Sequence, residues 1–87
     1  MDKKALRAEV RNRIRSGLVP RWQNGRTFAG SGEGHPCECC DRRIGEQNIQ
    51  YEVDFPSHEG GCRTVKVHME CYHIWRDESL GRAIEVP

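Results

Sequence analysis

The chain is 87 residues long, 36% hydrophobic and 31% charged, with nine glycines and a net charge of +1. A single domain of this size buries only about 60% of the surface its unfolded chain exposes, so apolar burial needs help from a disulfide, a metal or a partner. No segment approaches the roughly 20 apolar residues of a membrane span, and MDKKALRAEV contains no signal-peptide core; the expectation is a cytoplasmic, reduced chain, for which five cysteines read as metal ligands rather than a disulfide framework.

Charge is segregated along the chain. Residues 1–26 hold eight Lys or Arg against Asp2 and Glu9, whereas the remainder is acidic on balance. Within this first segment Leu6, Val10, Ile14 and Leu18 recur every four residues beside a row of Lys4, Arg7, Arg11 and Arg15. That spacing predicts an amphipathic helix from about Lys3 to Ser16, ended by Gly17 with Pro20 beyond. The basic helical segment is placed at 1–20. Residues 21–35, RWQNGRTFAGSGEGH, are glycine-rich without periodicity and read as a loop or linker.

Residues 36–87 are better patterned. Ile49, Tyr51, Val53 and Phe55 alternate with polar residues, Pro56 and Gly60-Gly61 bound a turn, and Val65 and Val67 alternate again up to His68, predicting a β-hairpin. The following MECYHIWRDESL favours a helix with Cys71, Ile74 and Trp75 on one face, Glu70 in its first turn and Gly81 as its stop. The predicted fold class is a small α+β zinc domain: N-terminal amphipathic helix, zinc knuckle, β-hairpin and C-terminal helix, an order that resembles the treble clef.

Cys37, Cys40, His68 and Cys71 form the pattern C-x2-C-x27-H-x2-C. A two-residue gap lets one tight turn aim both side chains at one ion, and two such pairs complete a tetrahedron. Three thiolates and an imidazole select zinc over harder cations, so one zinc ion per chain is expected, with no position left for substrate. Cys39 and Cys62 remain over. Either is an alternative ligand, Cys39 through the pairing Cys37-x-Cys39 and Cys62 from a glycine-rich loop able to reach inward, although the two-residue gap favours Cys40; a second ion held by His35, Cys39, His58 and Cys62 is a weaker arrangement because the spacing is irregular. Pro36-Cys37-x-x-Cys40 and His68-x-Glu70 also match the two fragments of a zinc deaminase signature. Their order is reversed, and Cys71 takes the position an activated water needs, so no enzyme activity and no small-molecule substrate are expected.

The spacing from Cys37 to Cys71, with Tyr72 and Trp75 just after, resembles the PARP-type zinc finger. What that resemblance implies is carried over only as the four ligand positions. The full layout, through Ile14 to Pro20, Gly30 to Gly34, Cys37 to Ile44, Tyr51-Glu52-Val53 and His68 to Glu78, also resembles short uncharacterised bacterial zinc-binding proteins, which implies the architecture but no activity.

Three roles follow. The basic row Lys4, Arg7, Arg11 and Arg15 suits phosphates of nucleic acid or an acidic protein surface, unless Glu52, Asp54, Asp77 and Glu78 neutralise it within the molecule. Trp22, Phe28, Tyr72 and Trp75 suit a protein-interaction or oligomerisation adapter. Cys39 and Cys62 suit a thiol redox or metal sensor.

Overall fold

A computed structural model describes residues 2–23, 25–56 and 60–81. Helix α1 is Lys3–Ser16, strands β1, β2 and β3 are Arg26–Ser31, Ile49–Pro56 and Cys62–His68, and helix α2 is Met69–Leu80. The three strands form one antiparallel sheet in the order β1-β2-β3. Among the described residues no helix is long and apolar enough to cross a membrane.

Helix α1 has the predicted bounds because both caps are local. Asp2 lies just before it, and its Oδ1 accepts the Ala5 N–H at 2.8 Å. Gly17, at φ 81°, ends it in the left-handed conformation and donates to the Ile14 carbonyl at 3.2 Å. That turn changes which side chain is buried. Leu18, expected on the apolar row, is 63% exposed, and Val19 enters the core beside Leu6 and Val10. The 3.6-residue period does not extend past the αL cap.

The stretch expected as a loop or linker contains strand β1 instead. Its six residues are all exposed, so no hydrophobic alternation marks it. It is a strand because its backbone pairs with β2, with Phe28 opposite Glu52 and Gly30 opposite Gln50. The predicted hairpin is therefore two thirds of the sheet. Residues 57–59 of its connection, including His58, lie outside the described residues.

One sheet face carries the core. Val53, Phe55, Val65 and Val67 are buried there with half-buried Tyr51 beside them, and Phe55 meets Trp75 of α2 edge-on with ring centroids 5.7 Å apart. Helix α1 packs on α2 rather than standing apart as an arm. The chain after α1 is strapped to α2 as well: Trp75 Nε1 donates to the Pro20 carbonyl at 2.7 Å, and Ser79 Oγ accepts the Trp22 N–H at 2.8 Å. On the opposite sheet face Gln50 is 2% exposed, donating to Glu33 Oε1 at 3.2 Å and Glu52 Oε2 at 3.0 Å. A buried amide with these partners satisfies its polar atoms, which hydrophobic alternation does not foresee.

Candidate metal centre

Cys37, Cys40, His68 and Cys71 are brought together by three elements. The first two sit on a knuckle in which Cys37 N–H donates to the Arg42 carbonyl at 2.8 Å and Asp41 N–H to the Cys37 carbonyl at 2.7 Å. Asp41 takes φ 64°, a left-handed value that Asp tolerates better than most residues. A bridge between Pro36 and Arg43 closes the knuckle. His68 ends β3 and Cys71 lies in the first turn of α2, so a single strand-to-helix junction aims both inward.

The four ligand atoms lie within 4.8 Å of one another. His68 Nδ1 is 3.5 Å from Cys40 Sγ and 3.8 Å from Cys71 Sγ. A tetrahedral zinc with ordinary bond lengths has S···N edges of about 3.6 Å, so the donor set fits that ion. The three cysteines are buried and His68 is half-buried. His68 Nε2 faces the Arg43 carbonyl at 3.2 Å; donating there leaves Nδ1 as the lone-pair atom turned to the sulfurs. This backbone partner has no signal in the ligand spacing.

Electrostatics show why the cluster wants a cation. Cys37 is held well below the usual thiol range, first because Cys39 and then Cys71 hydrogen-bond to its sulfur. Cys71 and Cys39 are correspondingly pushed up, first by their bond to Cys37 and then by burial. One thiolate is thus held by two thiols, and ionising the remaining ligand sulfurs, all within 4.8 Å of one another, requires a positive centre between them. Arg42 supplies part of it from outside, its pKa raised chiefly by a hydrogen bond to Cys40.

The two leftover cysteines separate. Cys39 is fully buried in the core, with its N–H directed at Cys37 Sγ at 3.4 Å, while Cys62 is exposed at the start of β3. His35 is exposed too, and His58 lies outside the described residues. Among the described residues only the Cys37, Cys40, His68 and Cys71 group gathers as a metal cluster. Glu38, unmarked by any motif, docks the knuckle on β3: its N–H donates to the Lys66 carbonyl and its Oε2 accepts the Lys66 N–H, both at 3.1 Å.

The basic row does not stay together. Arg11 Nε bonds Glu78 Oε1 at 2.8 Å, and Arg7 lies 3.6 Å from Glu78 and 3.9 Å from Asp77. Lys4 and Arg15 are exposed. Of the acids expected to compete for this row, Asp77 and Glu78 do so, whereas Glu52 bonds Gln50 and Asp54 bonds Thr64. The aromatic set divides as well: Tyr72 and Trp75 are core, Trp22 is half-buried, and Phe28 is 53% exposed under the Arg26 guanidinium.

The chain is a small α+β protein with a four-donor cluster able to hold a metal ion. No protein-family model, no curated protein and no solved structure matches it, so the chemistry of the site rests on its own donors and their geometry.

Proposed function

We propose that the protein is a structural zinc module whose task is binding rather than catalysis. The observation that carries this is the closed donor set: three sulfurs and one imidazole nitrogen within 4.8 Å, three of the four residues buried. Four protein donors fill a tetrahedral zinc sphere, so no position remains for a reactive water. The order of knuckle, β2–β3 hairpin and ligand-bearing helix supports a treble-clef-like reading. Zinc would be held by Cys37, Cys40, His68 and Cys71; when bound it neutralises the thiolates and ties the knuckle to the sheet and α2.

Metal analysis of the purified chain, followed by chelation monitored by circular dichroism, tests this. One equivalent of zinc and loss of fold on its removal are expected. A chain that keeps its full structure after complete removal overturns the structural role.

For the partner, a protein adapter is favoured over nucleic acid, because Arg7 and Arg11 at the centre of the basic row are occupied by Asp77 and Glu78. The exposed ends of that row, Lys4 and Arg15, together with exposed Arg42 and Arg43 on the knuckle, support weak nucleic-acid contact as the second reading.

A further inference from the structure

The two edges of the sheet are treated differently. At the β3 edge, the outward N–H and carbonyl of Lys66 are both taken by Glu38 of the knuckle. At the β1 edge, Arg26–Ser31 is exposed throughout, and no described strand pairs beyond it. Nor does β1 carry the usual protection of an edge: it has no proline, no lysine and no acid, and its one charge, Arg26, stands at its first position.

Which backbone groups are free follows from the register. Gly32 N–H donates to the Asn48 carbonyl at 3.0 Å, continuing the ladder one step beyond the Ser31 and Ile49 pair. Backbone polar groups alternate sides along a strand, so Phe28 and Gly30 face β2, and Thr27, Ala29 and Ser31 turn their N–H and C=O groups outward.

We propose that this edge pairs antiparallel with the β1 edge of a second copy of the chain, about a two-fold axis at Ala29, making one six-stranded sheet. The occupant is argued from self-complementarity. Only with Ala29 opposite the partner's Ala29 do all three outward residues find partners, Thr27 then lying opposite the partner's Ser31, a hydroxyl pair that suits adjacent strands. The same register sets Phe28 across from the partner's Gly30. Phe28 is the one large apolar side chain exposed on β1, and the space where a Gly30 side chain would stand is open to 4 Å. An aromatic ring laid over a cross-strand glycine covers the backbone that glycine leaves bare. Arg26 falls opposite the partner's Gly32, so no like charges meet, and the contact is isologous and closed, which limits assembly to a dimer. The inference goes beyond the zinc reading and does not depend on which metal is bound.

Light scattering on the zinc-loaded full chain across a concentration series is the first test. A mass rising toward twice 10.0 kDa is expected, and a monomer at the highest concentration overturns the proposal. Ala29→Glu and Ala29→Lys each oppose like charges across the axis and should each be monomeric with zinc retained, while their equimolar mixture should restore the dimer. Dimers in both separate variants, or no dimer in the mixture, overturn it. Amide exchange of the unaltered chain gives a readout independent of variants: Thr27, Ala29 and Ser31 should gain protection with concentration, whereas Phe28 and Gly30 should be protected throughout. Equal behaviour of the two sets overturns the assigned edge.

Discussion

Arg11 and Glu78, on helices at opposite ends of the chain, meet at 2.8 Å, and the Glu78 side chain is only 1% exposed. With Arg7 at 3.6 Å from the same carboxylate, two guanidiniums neutralise one buried charge and hold α1 on the helix that carries Cys71. Burying that carboxylate is tolerable only because both remain.

Glu78→Gln should therefore lower unfolding stability by about 1–2 kcal/mol, since a neutral amide offers weaker acceptors to the two guanidiniums. Urea unfolding of the zinc-loaded protein measures this. An unchanged midpoint would show that the pair does not hold α1.

The same substitution predicts a gain in nucleic-acid contact. Four phosphate contacts from Lys4, Arg7, Arg11 and Arg15 would give a slope of log affinity against log salt of about −3.6 on duplex DNA, but the two exposed ends alone give about −1.8. Weakening the hold on Arg11 and Arg7 by Glu78→Gln, with Arg7 keeping its Asp77 neighbour, should steepen the slope part of the way toward the larger value. Titrations of labelled duplex at several salt concentrations test it, and no binding at low salt by either protein leaves the adapter reading.

Cys37→Ser, Cys40→Ser and Cys71→Ser should each lose the metal, while Cys62→Ser, at an exposed position, should keep both metal and stability. Cys39→Ser is a separate case. It should retain one equivalent of metal yet lose about 1–3 kcal/mol, because it places a hydroxyl in a fully buried site. Metal content and thermal unfolding of the five variants distinguish these outcomes.

Acid should release the metal. If the metal-free chain is unfolded, its three ligand thiols have ordinary values near 8.5 and are protonated at neutral pH, so binding expels about three protons. Affinity then falls about a thousandfold per unit of pH lost below neutrality. The sign is set by the ligands: only thiolate and neutral imidazole bind, so metal-derived stability is present at higher pH and is lost as pH drops. Competition with a chelator at pH 7 and pH 6 reads the slope, and a pH-independent affinity would exclude thiolate ligation.

Gly32→Ala should be more damaging than Gly30→Ala. A methyl group at Gly32 would overlap the Gly45 carbonyl oxygen and approach that of Ile44 to 2.7 Å, forcing the knuckle away from β1. At Gly30 there is nothing within 4 Å. The expected loss at Gly32 is about 1–3 kcal/mol, typical of overpacking, against a few tenths at Gly30, with reduced zinc affinity only in the first.

Much of the metal cluster was legible in the residue order because its determinants are local. Cys37 with Cys40 and His68 with Cys71 each span a single turn, so spacing alone shows that each pair can converge, and the ends of α1 are set by Asp2 and Gly17 through bonds three residues long. Likewise the alternation through Val53 and Phe55 marks β2, since one of its faces is buried. Tertiary structure decided the rest. Strand β1 carries no pattern because neither of its faces is buried; its state comes from pairing with β2, whose partner residues lie 18 to 28 positions further along the chain. Leu18 and Val19 exchanged roles at the Gly17 turn, and Cys39 was covered by the core rather than left at the surface. Whether Arg7 and Arg11 face solvent or Glu78 depended on two helices separated by the whole sheet in sequence, and a long-range ion pair of that kind has no period for a sequence to display.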